Sequence, residues 1–238
     1  ANCVINGVGT TSGFIGIGNN SASGTLNISN NIIRGNTSSS TVGGFDGIIN
    51  FVAVITTINI NNNKIGDAIA GAIIFSAATT APITAITNWD AAATATINLN
   101  NNSIQGISCV SSGVFAGIMN LGASGVAINI NNNQLGTSTG DFISYSAASN
   151  NDIRGIWNVG GLATCTLTIQ GNDIRRIVQS VTGSGTHEYI SHLVVVHSEN
   201  ILNNTFTNLS ANTSGSIFFI VRGGNLTATD VSNCNNNS

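Results

Sequence analysis

Alternating apolar and polar residues recur along this chain in short phrases that run into asparagine. In Ile128 to Leu135, the order apolar, polar, apolar, polar is followed by Asn residues and then by another apolar residue. An alternation of period two predicts a β-strand with one face buried. Asn after such a strand predicts a bend, because Asn tolerates the left-handed backbone conformation and its amide bonds to nearby backbone. Each phrase is therefore expected to form a strand, a sharp corner and the start of a second strand.

The last Asn of each phrase marks a regular repeat, with steps of 32, 39, 31, 39, 32 and 33 residues. These markers are Asn31, Asn63, Asn102, Asn133, Asn172, Asn204 and Asn237. A third apolar segment precedes most phrases, as in the Gly-Ile-x-Asn frames at Gly47 to Asn50 and Gly117 to Asn120. A unit of this length with one apolar face can bury that face only against its neighbours. The pattern predicts an all-β parallel β-helix (β-solenoid) of about seven turns, with three strands per turn and an Asn-rich corner.

The phrases at Ile97 to Gly106 (INLNNNSIQG) and Leu167 to Ile177 (LTIQGNDIRRI) resemble the coils of right-handed parallel β-helix repeat proteins. This group includes Asn-rich bacterial surface β-solenoids and enzymes of the pectate-lyase-like fold. The resemblance covers essentially the whole chain and is specific for the fold alone. It implies a right-handed coil in which the marker Asn side chains stack into a ladder. Aligned amides bond along a stacking axis in the same way in cross-β structures.

Composition indicates a packed protein with an unusual surface. Only 6% of residues are charged, against roughly 25% in an ordinary soluble domain, while 42% are hydrophobic and the formal net charge is −3. A surface so poor in charge tends to associate. No run approaches the roughly 18 apolar residues of a membrane helix, so no membrane insertion is expected. Residues 1–238 are expected to form a single domain, because no charge run or proline cluster divides them.

The four cysteines, Cys3, Cys109, Cys165 and Cys234, are too few and too widely spaced for a disulfide scaffold or a zinc site. Cys109 and Cys165 are interpreted as small buried hydrophobes. Cys3 and Cys234 would lie at opposite ends of a solenoid, beyond the reach of a bridge within one molecule. Between molecules stacked end to end they would meet. An intersubunit disulfide and a pair of free thiols both remain open.

No catalytic constellation is evident. Polysaccharide lyases and hydrolases of this fold need acidic residues clustered on one wall, and the carboxylates here fall at different offsets from the markers. Asp67 and Asp141 follow their markers by 4 and 8 residues, whereas Asp90 and Asp152 precede theirs by 12 and 20. Asp46 is interpreted as solvated or at a bend. The chain is therefore expected not to be an enzyme and to need no cofactor.

The densest polar cluster contains His187, Glu188, His192, His197 and Glu199. Residues 189–196 are expected to form a strand, on which His187 and His197 would lie roughly 33 Å apart and Glu188 and His192 roughly 13 Å apart. The segment is therefore interpreted as a polar strand of the solenoid wall, and no metal site is predicted. The basic residues are scattered and the net charge is negative, which argues against nucleic acid as a partner.

Three functions remain. The first is a non-enzymatic extracellular structural protein, a subunit of a surface filament or sheath that stacks head to tail with copies of itself. The alternatives are an adhesin or glycan-binding stalk and a carbohydrate-active enzyme with its site in loops. An ice-binding face is not expected, because Thr residues such as Thr56 with Thr57 and Thr94 with Thr96 do not suggest a regular array at one offset. The predicted location is secreted, extracellular or at the cell surface.

Overall fold

Short extended segments separated by tight corners make up the described chain. The computed structural model describes residues 4–6, 9–67, 72–110, 112–224 and 226–238, with side chains from residue 10 onward. Within these ranges there are 27 strands and no helix. The described residues therefore contain no helix that could cross a membrane.

The strands form four parallel sheets, named A to D in the order in which one coil visits them. Sheet A contains β1 (Val4–Asn6), β5 (Ile32–Arg34), β9 (Lys64–Ile65), β13 (Ser103–Ile104), β17 (Gln134–Leu135), β21 (Asp173–Arg175) and β25 (Thr205–Thr207). Sheet B contains β2 (Gly9–Thr10), β6 (Asn36–Ser38), β10 (Ile73–Phe75), β14 (Ile107–Cys109), β18 (Ile143–Tyr145) and β22 (Ile177–Gln179). Sheet C contains β3 (Phe14–Asn19), β7 (Phe45–Asn50), β11 (Ile83–Asn88), β15 (Phe115–Asn120), β19 (Ile153–Asn158), β23 (His187–His192) and β26 (Ile217–Arg222). Sheet D contains β4 (Thr25–Ser29), β8 (Thr57–Asn61), β12 (Thr96–Asn98), β16 (Ala127–Asn131), β20 (Thr166–Gln170), β24 (Ser198–Leu202) and β27 (Val231–Asn235).

The pairings between these strands join each coil to the next. From β1 to β21 each strand pairs with the strand four places later, and β23 and β24 pair with β26 and β27. In the last coil a bridge from Ser210 to Val178 stands where sheet B would continue. The predicted all-β parallel solenoid of about seven turns is confirmed.

Each coil passes through four sheets, and the prediction of three strands per turn was wrong. The segment after the marker Asn bends a second time at a residue with positive φ: Gly35, Gly66, Gly106, Gly136, Arg176 or Asn208. Glycine is required at Gly66 because a Cβ atom there would lie 1.6 Å from the carbonyl oxygen of Gln105. The strands on either side of this bend have only two or three residues in most coils, too few to show an alternation.

Equivalent apolar side chains of successive coils stack into columns inside the solenoid. The column expected from the marker spacing, Ile60, Leu99, Ile130 and Ile169, is fully buried, and in sheet D Ile28 pairs with Ile60 and Ile130 with Ile169. Each such burial stabilises the fold by about 1.5–3 kcal/mol. Cys234 extends the same column in the last coil, opposite Ile201.

The Asn corner lies between sheets D and A. The left-handed conformation is adopted by the residue before each marker: Asn30, Asn62, Asn101, Asn132, Gly171, Asn203 and Asn236. The marker itself turns its side chain inward and is almost fully buried in the middle coils. Asn therefore has two separate roles at this corner, a backbone role at the first position and a side-chain role at the second.

A Thr column runs along the outside of sheet D. Thr25 pairs with Thr57, Thr57 with Thr96, and Ala127 follows Thr96 and precedes Thr166. The expectation that these Thr residues lack a common offset was wrong, since each lies six residues before its marker Asn.

Candidate functional site

The marker Asn side chains form a continuous buried ladder along the solenoid axis. The Nδ2 of Asn133 donates to the Oδ1 of Asn172 at 2.9 Å and to the carbonyl of Leu99 at 2.8 Å. Its Oδ1 accepts from the backbone N–H and the Nδ2 of Asn102 at 2.9 Å and 3.1 Å. The same contacts link successive rungs from Asn31 to Asn237. The predicted corner column of Asn63, Asn102, Asn133 and Asn172 is confirmed.

A second buried ladder lies at the corner between sheets C and D, and sequence reasoning missed it. It joins Asn19, Asn50, Asn88, Asn120 and Asn158 through Nδ2 to Oδ1 bonds of 2.7–2.9 Å. The signal in the sequence is the Asn at the last position of the Gly-Ile-x-Asn frame. The frame predicts a strand, and its Asn marks the corner that follows.

Charged and aromatic groups replace the amides at the end of this second ladder. Asn158 Nδ2 lies 3.0 Å from Nδ1 of the buried His192, and Arg222 pairs with His192 in register as the next rung. Arg222 forms an ion pair with Glu199, which occupies the interior position held by Leu167 in the preceding coil. Glu199 Oε2 is 3.6 Å from His192 Nε2, and Ser232 contacts the same carboxylate. The buried carboxylate thus has charged and polar partners in the last two coils.

The polar strand predicted at residues 189–196 is present in its first half, as part of β23 (His187–His192), but the two histidines of β23 face inward. His187 bonds through Nε2 to Gln179 at 3.0 Å and is fully buried, as is His192. Burial lowers the pKa of both imidazoles to about 4, so both are neutral at pH 7. His197 lies at the surface, 3.3 Å from Asp230. In the described ranges, no three His, Cys, Asp or Glu residues are placed to hold a metal ion.

The outer face of sheet C carries a cluster of charged side chains. Arg154 binds both Asp152 at 2.7 Å and Glu188 at 2.8 Å, and its guanidinium lies 4.2 Å from the centre of the Trp157 ring. The buried Trp157 Nε1 and the Oγ of the adjacent Ser191 have no hydrogen-bond partner.

The remaining candidate carboxylates are dispersed. Asp67 pairs with Arg34 at 3.1 Å and Asp141 with Arg176 at 2.7 Å, both beyond the Asn corner. Asp46, expected to be solvated or at a bend, lies within β7 and accepts hydrogen bonds from Thr84 and Thr87. Burial raises the pKa of its carboxyl group.

The last coil leaves the interior columns uncovered. Ile217 is 45% exposed although its equivalents Ile153 and His187 are buried, and Phe219 is 52% exposed while its ring packs against Tyr189. The strands β26 and β27 are the edges of their sheets. Cys234 is an exposed free thiol at this end.

Two of the other three cysteines, Cys109 and Cys165, lie in the described structure. Cys109 and Cys165 are buried free thiols within the apolar core, as expected. Cys3, the proposed bridging partner of Cys234, lies outside the described residues.

The chain matches no family model, no curated protein and no solved structure. Its geometry is therefore the basis for any functional conclusion.

Proposed function

We propose that this chain is a non-enzymatic extracellular structural protein that stacks head to tail into a surface filament or sheath. The observation that carries the proposal is the identity of the contacts between successive coils: the marker Asn ladder from Asn31 to Asn237 and the apolar columns run the length of the described solenoid. Ile217, Phe219 and Cys234 are the side chains of the last described coil that adjoin these columns, and the face they form is called the open end. A coil of a second copy placed on this face would repeat the contacts that join coils within the chain.

Stacking would extend every interaction that holds the coils together. The edge strands β26 and β27 offer backbone N–H and C=O groups for parallel pairing. Asn237 Nδ2 donates to the carbonyl of Ile201 at 2.9 Å, and in the other coils the same amide also donates to the next rung. Because the two ends of a solenoid differ, this contact is heterologous and propagates into a filament unless it closes into a ring.

The low charge of the chain favours such assembly. With six basic and nine acidic residues in 238, and with each of the five arginines paired with a carboxylate, little repulsion opposes contact between copies. The right-handed, pectate-lyase-like class is part of the proposal and rests on the resemblance of the Asn-rich phrases.

The test compares two adjacent residues of β26 that carry the same change. Ile217→Lys places a charge on the open end, whereas Phe218→Lys places it on the outer wall, and the two native side chains are 45% and 44% exposed. Negative-stain microscopy and sedimentation of the 238-residue chain should show filaments that Ile217→Lys abolishes and Phe218→Lys retains. A native chain that stays monomeric at high concentration would refute the proposal, as would filaments equally tolerant of both changes.

A glycan-binding stalk is the second candidate, and the Arg154 cluster favours it. The half-buried Trp157 ring lies beside Arg154, which binds Asp152 and Glu188, so an aromatic ring and charged groups share one wall, as they do in many ligand sites. Binding to a glycan array that Trp157→Ala removes, in a chain that forms no filaments, would favour this function over the first.

A further inference from the structure

The outer face of sheet D presents two uncharged columns at a fixed repeat. The first column contains Thr25, Thr57, Thr96, Ala127, Thr166, Ser198 and Val231. The second lies two residues further along each strand and contains Asn27, Asn59, Asn98, Asn129, Thr168, Asn200 and Asn233. Side chains two residues apart in a strand point to the same face, so the columns are parallel.

Hydrogen bonds between coils join the first four members of the second column. Asn59 Nδ2 donates to Asn27 Oδ1 at 2.8 Å, Asn98 to Asn59 at 2.9 Å, and Asn129 to Asn98 at 2.9 Å. Side-chain ladders of this kind are one of the devices that keep a sheet of many strands flat. Each amide retains a second N–H and a second acceptor site for a ligand in front of the face.

The Thr column adds hydroxyl groups that face outward. β-Branched side chains have few χ1 rotamers, and Thr57, Thr96 and Thr166 occupy equivalent positions of β8, β12 and β20 on the outer face. Successive coils are about 4.8 Å apart and the two columns roughly 6.6 Å apart. The face is thus a rectangular array of hydroxyl and amide groups roughly 30 Å tall.

The chemistry of this array narrows the class of ligand. The described outward positions of sheet D contain no Asp, Glu, Lys or Arg, because Glu199 of β24 points inward. An anionic ligand would need Arg or Lys, and a protein partner is usually anchored by aromatic or Arg side chains. A flat sugar surface would call for aromatic rings, and these outward columns have none. Uncharged hydroxyl and amide groups at a constant spacing are suited to the surface of a crystal built from small polar molecules.

We propose that the outer face of sheet D binds ice. Water molecules held by the Thr and Asn columns would take up the spacing of the array, and the hydroxyl and amide groups supply donors and acceptors alike. Each contact is weak, but contacts repeated on one rigid face act together once the first forms. This activity is separate from end-to-end stacking, since it uses the wall of the solenoid and not its end.

The test measures ice growth with nanolitre osmometry and recovery of the protein in a slowly grown ice fraction. Thr96→Tyr places a bulky side chain in the centre of the array, and Ser144→Tyr places the same side chain at an outward position in the centre of sheet B. The native chain should shape ice crystals and lower their growth temperature, and Thr96→Tyr should reduce that effect several-fold. Ser144→Tyr should retain it.

A gain-of-function variant distinguishes loss of ice binding from loss of folding. Ala127→Thr completes the run from Thr96 to Thr166 and should increase the effect on ice growth. Circular dichroism should show the same β-spectrum for all three variants. A native chain with no effect on ice, or an equal loss in Thr96→Tyr and Ser144→Tyr, would overturn the assignment. Dimers that Thr96→Tyr dissociates, without any ice activity, would instead identify the face as a contact between copies and also overturn it.

Discussion

The Nδ2 atom of Asn102 lies 3.1 Å from the Oδ1 atom of Asn133, and this contact joins residues 31 positions apart in the sequence. The same oxygen also accepts the backbone N–H of Asn102 at 2.9 Å. One amide therefore satisfies both the side chain and the main chain of the preceding corner. Since the site is buried, water cannot replace either bond.

Replacing Asn133 by Ala should be strongly destabilising. The change leaves the Asn102 N–H, one Asn102 amide hydrogen and the Leu99 carbonyl without a side-chain partner, and each buried unpaired group costs about 1–3 kcal/mol. We expect a loss of at least about 3 kcal/mol, measured as the shift in the urea midpoint. Asn129→Ala is the control, because it removes one half-buried ladder contact, to Asn98, on the outer face and should cost under about 1 kcal/mol. Equal shifts would mean that the buried ladder contributes no more than the outer one.

A charge in the central column should prevent folding. Ile130 is fully buried between Leu99 and Ile169, so Ile130→Asp buries a carboxylate with no partner, at a cost of several kcal/mol. The expected result is loss of the β-signal in circular dichroism at room temperature. Asn131→Asp, the same new residue on the next, outward-facing position, should keep the native spectrum. A folded Ile130→Asp protein would contradict the interior column.

The fold could be predicted because its signals are local. Asn62 and Asn63 show the pattern: the alternation before them predicts a strand, and two Asn in succession predict a bend with a left-handed residue. The stacked amide of Asn63 followed only from the resemblance to β-helix coils. The second bend at Gly66 could not be predicted from alternation, because β9 has only two residues.

The candidate sites were harder to predict because their partners are distant in sequence. The burial of Glu199 depends on Arg222 and His192, which come from a different sheet. The position of Glu199 in the repeat, where the preceding phrase has Leu167, was nevertheless visible in the sequence. The Thr column required only a count of residues to the next marker, so Thr57 and Thr96 could have been aligned without a structure.

Stability should fall as the pH drops from about 6.5 to about 4. Burial lowers the pKa of His187 and His192 to about 4 from an ordinary 6.5, so in this window the unfolded chain binds protons that the folded chain does not. The loss is up to about 3 kcal/mol for each histidine, and after burial the charge of Arg222 contributes to the lowered pKa of His192. Above pH 6.5 this contribution is fully present.

Variants that restore the repeat should flatten this pH dependence. His192→Asn continues the second ladder from Asn158, and His187→Ile restores the apolar column between Ile153 and Ile217. The urea midpoint of the double variant should change less between pH 7 and pH 4.5 than that of the native chain. His197→Asn, at an exposed site, is the control and should leave the native slope. An unchanged slope in the double variant would show that other groups cause the pH dependence.

No lyase or hydrolase activity is expected on acidic or neutral polysaccharides. Asp152 and Glu188 are both bound by Arg154, while Asp67 and Asp141 pair with separate arginines on another side of the solenoid. Two carboxyl groups at the separation used by glycosidases need one to be free to give a proton. Reducing-sugar assays and absorbance of unsaturated products should stay at background. Turnover that disappears on Asp46→Asn, Asp67→Asn, Asp141→Asn or Asp152→Asn would contradict the structural function.

A disulfide between Cys3 and Cys234 should strengthen the proposed filament in an oxidising medium. Cys234 is an exposed free thiol on the open end, and stacking would bring the first residues of the next copy, including Cys3, towards it. Filaments dissolved in denaturant without reductant should run on a gel as a ladder of multimers that reductant collapses to monomer. Cys234→Ser should remove the ladder, and Cys109→Ser, at a buried thiol, should keep it. Monomer alone would exclude the bridge without excluding stacking, because main-chain pairing and the apolar columns need no disulfide.

Deletion of residues 1–8 tests the stacking, and filaments that persist unchanged would mean that the subunits meet through their sides.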